Sequence, residues 1–279
     1  VERSGSGSSC EGFDLDKYLR SSGATRPEAF DWSDPGPRLD DEALFCLGYM
    51  MDIESHTIIY LRELLSTAVA EDPSITAFLS CWAYEEHFHS RVLKQLLQSQ
   101  GLTIDDRRFA DLRRRKPADY LGQKIARVVS GMTRHFPAIH MTWGAINELS
   151  TLTGYRALIG RTRHPLLTTV LSRIIKDERR HFAFYFNQAQ MRLRPRAAQL
   201  LTIIALKNFW SLVGSPVRGN ADAHRLCAYL FGDAHGPRRL AQLDSTVARL
   251  PGLQWFDLAS RYCLGEPARF APSVLSTQH

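Results

Sequence analysis

Two short stretches decide how this sequence is read: Glu85-Glu86-His87-Phe88-His89 and Asp177-Glu178-Arg179-Arg180-His181. In each, a Glu is followed three residues later by a His, a spacing that stacks carboxylate and imidazole on one helix face. The neighbouring residues step in the same rhythm. Ile75, Leu79, Trp82, Glu86, His89, Leu93 and Leu96 form one stripe, and Leu171, Ile174, Glu178, His181 and Tyr185 form another. The Glu and His side chains thus interrupt apolar stripes that face a bundle interior.

Working outward, two further helical patterns carry a single Glu on such a stripe. One is Leu47, Met50, Glu54, Thr57, Leu61 and Leu64; the other is Met141, Ala145, Glu148, Thr151 and Tyr155. Successive Glu residues are 32, 62 and 30 positions apart, which divides the chain into two helix pairs joined by a long crossover. Isolated buried carboxylates are too costly to stay charged unless paired or metal-bound. Four Glu and two His, arranged as Glu, Glu-x-x-His, Glu, Glu-x-x-His, form the ligand set of carboxylate-bridged two-metal bundles. Four negative charges on two divalent ions leave a neutral cluster, which a low-dielectric core tolerates. One Glu-x-x-His alone is a weak signal, whereas the ordered set is specific. Glu54, Glu86, His89, Glu148, Glu178 and His181 are the expected metal ligands. His56 and His87, next to but off these stripes, are not counted among them.

The remaining sequence sets the frame. The chain has 279 residues, 44% hydrophobic and 23% charged, with 35 Lys plus Arg against 29 Asp plus Glu. That balance is ordinary for a globular protein and excludes large-scale disorder. No apolar run is long enough for a membrane span, and the first residues lack the apolar segment of a secretory signal. Five scattered cysteines (Cys10, Cys46, Cys81, Cys227, Cys263) show no Cys-x-x-Cys spacing, so reduced thiols in a cytoplasmic protein are expected rather than a disulfide framework. The net charge of +6 is too small to demand nucleic acid, and no basic–aromatic stripe is evident.

Residues 1–38, rich in Gly, Ser and Pro, read as a flexible leader. Long helices are predicted over 39–70, 73–100, 137–160 and 165–193, with a shorter one over 117–133 and a fifth opening at Pro195. Residues 39–216 form the predicted bundle, and residues 217–279 an accessory segment of shorter helices. No strand alternation occurs. The fold class is all-α: a four-helix bundle with a long crossover and additional C-terminal helices.

In these motifs the chain resembles the ferritin-like di-iron oxidases, and among them the soluble acyl-[acyl-carrier-protein] desaturases. Their motifs read E-E-N-R-H and D-E-K-R-H, and their third ligand helix carries a Glu followed three residues later by Thr, as Glu148 and Thr151 are here. The stretch from Val92 to Gly101 is also similar, and the likeness covers roughly residues 40–195. The resemblance implies two iron ions, with manganese as an alternative at either site, held by the six ligands above. It implies that Thr151 is a catalytic hydroxyl assisting oxygen activation. Phe88 departs from the pattern, standing where that family has arginine. Asp177, Glu85 and Arg180 are expected beside the ligands, with Asp177 placed to accept the outer N–H of His89.

The expected activity is an O2-activating di-iron oxidoreductase, desaturase-like, oxidising an unactivated C–H bond of an acyl or similar apolar substrate. Trp82, Phe88, Trp143, Tyr155, Phe182, Phe184 and Tyr185 are candidates to line its channel. An external electron donor would supply the reducing equivalents. An acidic acyl carrier protein would dock on the cationic run Arg107, Arg108, Arg113, Arg114, Arg115 and Lys116. The alternatives are a di-iron N-oxygenase or hydroxylase of secondary metabolism, then a tRNA hydroxylase, and last a non-catalytic iron-binding bundle. Ile174 stands where arylamine-oxidising relatives carry an additional His, which counts against that branch. A homodimer is left open as the assembly.

Overall fold

The computed structural model describes residues 13–22, 25–112, 131 and 133–265. Every regular element among them is helical. Four long helices form the frame: α2 (Asp41–Leu64), α3 (Pro73–Ser99), α5 (Phe136–Thr162) and α6 (Pro165–Arg192). They pack as two hairpins, α2 against α3 and α5 against α6.

Their starts follow from local chemistry. Asp40 caps α2 by accepting the Ala43 N–H at 2.7 Å. Asp72 caps α3 by accepting from Ser74 and Ile75, and Pro73 occupies the first turn, where its missing N–H costs nothing. At α6, His164 Nδ1 accepts the Leu167 N–H at 3.1 Å ahead of Pro165. The first long helix ends at Leu64 rather than near residue 70. Thr67 there caps a 3₁₀ turn, Ala68–Glu71, that resets the chain direction before α3.

Shorter elements complete the molecule. They are α1 (Leu15–Ser21), α4 (Arg107–Leu112), α7 (Arg196–Phe209), α8 (Ser215–Arg218), α9 (Asn220–Phe231), α10 (Gly236–Val247) and α11 (Leu258–Leu264). The C-terminal helices pack on α5 and α2. Their buried Leu226, Leu230, Leu240 and Leu243 belong to the same apolar core as Leu47 and Leu158. The sequence reading separated residues 217–279 as an accessory segment; up to residue 265 the packing runs without a break. The spacing of apolar residues within a short helix does not reveal which neighbour it covers.

Two further expectations are corrected. The part of residues 1–38 that the structure describes is packed rather than loose: Tyr18, Thr25 and Phe30 are buried against the bundle. A few aromatic and hydroxyl anchors hold a stretch whose overall composition reads as a linker. Cys227 on α9 and Cys263 on α11 are paired as a disulfide, with Cα atoms 5.2 Å apart, where reduced thiols were expected. Helix packing brings the two together across 36 residues, a proximity no local spacing encodes.

The cationic run divides. Arg108 turns inward and grips the fully buried Asp52 through Nε and Nη2 at 2.7 and 2.6 Å. Arg218 of α8 bonds the same carboxylate. Asp52 thus ties α2 to α4 and α8, and a bidentate guanidinium pair offsets the cost of burying it. Arg113, Arg114, Arg115, Lys116 and the helix expected over 117–133 fall outside the described residues, Gly131 and Thr133 excepted.

Candidate metal centre

The four long helices deliver the six expected ligands to one place. Glu54 comes from α2, Glu86 and His89 from α3, Glu148 from α5, and Glu178 and His181 from α6; all six are buried. They form two overlapping tetrads, Glu54–Glu86–His89–Glu178 and Glu86–Glu148–Glu178–His181, and within each the ligand atoms lie within 4.8 Å of one another.

Glu86 and Glu178 belong to both, and their oxygens divide accordingly. Glu86 Oε1 is 3.1 Å from His181 Nδ1, and Oε2 is 3.8 Å from His89 Nδ1. Glu178 does the converse, with Oε1 3.2 Å from His89 Nδ1 and Oε2 3.5 Å from His181 Nδ1. Each carboxylate presents one oxygen to each half, the geometry of a bridging ligand. Glu54 and Glu148 belong to one half each. Glu54 Oε1 accepts from the Tyr155 hydroxyl while Oε2 faces His89 Nδ1 at 3.9 Å. Glu148 Oε1 accepts from Trp82 Nε1 at 2.9 Å while Oε2 faces His181 Nδ1 at 3.6 Å.

The outer ring nitrogens point the other way. His89 Nε2 lies 3.1 Å from Asp177 Oδ2, and His181 Nε2 lies 2.8 Å from Glu85 Oε2. The pairing is crossed: the carboxylate beside the ligand of one helix serves the histidine of the other. A carboxylate partner holds a proton on Nε2 and turns Nδ1 toward the centre. Arg180 donates to both carboxylates, at 2.6 Å each, on Glu85 Oε1 and Asp177 Oδ1.

The donor set fits a pair of cations. His89 Nδ1, His181 Nδ1 and both oxygens of Glu178 are buried with no hydrogen-bond partner. Native interiors rarely leave four such atoms converging on one point. The protonation pattern agrees. Burial, then the neighbouring carboxylates, push Glu54 and Glu148 well above the ordinary carboxylate range. Burial works against the charged form of His89 and His181, yet hydrogen bonds and charges from the surrounding acids raise both. Burial likewise opposes ionisation of Glu85 and Asp177, but their histidine partners bring each down to about 2. Divalent ions entering this cluster would compete with protons for its donor atoms.

A cavity of about 1070 Å³ lies along the carboxylate side of the centre, lined by Glu54, Glu86, Glu148 and Glu178. Thr151, half-buried one turn beyond Glu148, lines it too, as do Trp82, Trp143 and Tyr185. Its lining also includes the polar Asp52, Arg108, Asn147 and Arg218 beside the apolar Ile53, Leu212 and Val213. Phe88, Phe182 and Phe184, expected as channel residues, do not line it. Phe184 stacks on Phe78 at 3.8 Å, Phe182 packs on Phe186, and Phe88 lies against Arg26 and Arg91. His56 lines the cavity but joins neither tetrad.

Several contributors were not assigned from sequence. Tyr155 and Trp82 read as lining candidates, yet they are hydrogen-bond donors to the two non-bridging carboxylates. Their polar atoms on the ligand stripes were the signal that could have shown this. Tyr18 and Thr25, which reach Glu85 and Asp177, carried no such signal.

Comparison with protein-family models, with curated proteins and with solved structures finds no match to this chain. The fold and site define an all-α bundle with a buried Glu/His cluster able to hold metal.

Proposed function

We propose that this protein is an O2-activating di-iron oxidoreductase of the ferritin-like type. The observation that carries this reading is the pair of tetrads sharing Glu86 and Glu178, set against a cavity large enough for an organic substrate. Two ferrous ions held there would supply the two electrons that activate O2. Carboxylate-rich coordination suits this role, because hard anionic donors favour the oxidised metal.

The chain's own groups do the rest. Asp177 and Glu85 keep the Nε2 protons in place, so both imidazoles present Nδ1 inward. Tyr155 and Trp82 each occupy one oxygen of Glu54 and Glu148, leaving the other for the centre. The closely packed rings of Phe78, Trp82 and Tyr185 form an apolar wall beside the site. Thr151 has a hydroxyl in the cavity next to Glu148, where it can hold or pass a proton during oxygen activation.

Oxidation of an acyl C–H bond, desaturase-like, is the first reading of the substrate. Hydroxylation or N-oxygenation of a more polar molecule is the second, and the presence of Asp52, Arg108 and Arg218 in the cavity lining supports it. The placement of the cavity against the ligands favours either over iron storage. An external electron donor completes the cycle, and manganese is the alternative metal. None of the described helices is long and apolar enough to cross a membrane. The test is anaerobic ferrous loading, exposure to O2, and mass spectrometry with fed acyl thioesters and polar amines. Loss or gain of hydrogen or oxygen in a fed compound supports the reading. Iron uptake with no O2 consumption rejects it.

A further inference from the structure

Each carboxylate behind a histidine uses its two oxygens in the same way. Glu85 gives Oε1 to Arg180, and its Oε2 takes both His181 Nε2 and the Tyr18 hydroxyl. Asp177 gives Oδ1 to Arg180, and its Oδ2 takes both His89 Nε2 and the Thr25 hydroxyl, the latter at 2.5 Å. Both hydroxyls come from one stretch, residues 13–30, that belongs to none of the four ligand helices. Tyr18 is 7% exposed and Thr25 is 3% exposed, so these bonds are made away from water. Phe13 locks the stretch down by packing on Phe78 and Phe184, and the Arg180 guanidinium lies over the Tyr18 ring.

We propose that residues 13–22 and 25–30 act as a positioning strap, in which Tyr18 and Thr25 each set the orientation of one metal-binding histidine through its carboxylate. Tyr18 governs the half of the centre made by Glu148 and His181, and Thr25 governs the half made by Glu54 and His89. This inference rests on the two-metal reading above. A carboxylate oxygen shared by two donors in the interior has little freedom to rotate, so the imidazole it orients is fixed as well. Removing the Thr25 hydroxyl leaves Asp177 Oδ2 to the imidazole, and removing the Tyr18 hydroxyl takes from Glu85 a partner that it has beside His181 and Ser22. By linkage, metal in the site and the strap on the bundle stabilise each other by the same factor.

The test uses the full chain, loaded anaerobically with ferrous iron, and follows iron loss to a ferrous chelator. Wild type should release its iron slowly. Tyr18→Phe should release one iron about tenfold faster and the other at the wild-type rate, the low end for outer-layer partners of metal-binding histidines. Thr25→Val should show the same split, the double variant should release both irons fast, and Thr25→Ser should restore the slow rate. Hydrogen exchange of the backbone over residues 13–22 and 25–30 should slow when iron is loaded. Single variants that speed both irons equally would reduce the strap to general packing and overturn the proposal. So would a double variant that releases iron at the wild-type rate. A wild-type chain that takes up no iron fails differently: it removes the two-metal reading itself, and the strap's role with it.

Discussion

Gly144 on α5 lies directly under the ring of Tyr185 on α6: a β-carbon at position 144 would stand 2.4 Å from Tyr185 Cδ1 and Cε1. The absence of one side chain therefore seats a fully buried aromatic ring at the cavity wall, beside the ligand Glu148. Gly144→Ala should lower stability by about 1–3 kcal/mol, because the added methyl forces the buried ring or the helix from its seat. Thermal unfolding checks this, and an unchanged midpoint would mean that the ring moves freely. Tyr185→Phe should be neutral or mildly stabilising, since the hydroxyl is buried with no hydrogen-bond partner.

The shared carboxylates predict a ranking among ligand variants. Wild type loaded with iron should hold about two ions per chain. Glu86→Ala and Glu178→Ala each remove a ligand from both tetrads and should lose most of the iron. Glu54→Ala touches one tetrad and should leave about one ion. Metal analysis of the purified variants decides; full retention in the two bridging variants would remove the basis of the site.

Metal uptake should release protons. In the metal-free protein Glu54 and Glu148 are raised by burial and by like charge, and His89 and His181 are raised by the acids around them. Metals entering the site must therefore compete with protons for these four groups. Lowering the pH favours the protonated, metal-free form, so apparent affinity falls as pH falls and rises as pH rises. Calorimetry in buffers of different ionisation enthalpy counts the protons, and a count near zero would contradict this charge balance.

Thr151 lines the cavity one turn from Glu148. Thr151→Val keeps the shape and removes the hydroxyl. Iron content should stay near wild type while product formed per O2 consumed falls. Unchanged coupling would leave Thr151 with a packing role.

The acyl-carrier reading predicts a charge dependence. Reversing Arg113, Arg114 and Arg115 to Glu should raise the KM for a carrier-bound acyl substrate and flatten its salt dependence. Arginine is not among the expected Glu and His ligand types, so iron content should not change. Normal turnover of the carrier-bound substrate by this variant would shift the proposal to the oxygenase alternative.

How far the sequence could be read depended on the range of each interaction. Glu54, Glu86, His89, Glu148, Glu178 and His181 were legible because helical periodicity is local: three and four residues of spacing decide which side chains share a face. Asp177 and Glu85 were legible for the same reason, each preceding a ligand in its motif. The burial of Tyr18, Thr25 and Phe30, and the packing of Leu226, Leu230, Leu240 and Leu243 into the same core as Leu47, were not legible because composition describes a segment without its neighbours. Tyr18 stands 67 residues from Glu85, and Thr25 stands 152 from Asp177, so no local pattern links them.

By itself, then, the sequence determined the helices, their buried faces and the residue types that meet in the centre, all set by backbone periodicity and the cost of burying charge. Only the tertiary structure decided which carboxylates belong to both tetrads, the crossed pairing of Asp177 with His89 and of Glu85 with His181, and the inward turn of Arg108. It also decided the Cys227–Cys263 pair and the seating of Tyr18 and Thr25 behind the histidines. Those relationships depend on how separate helices are placed against one another, and that placement is settled by packing across the whole core rather than by any stretch within it.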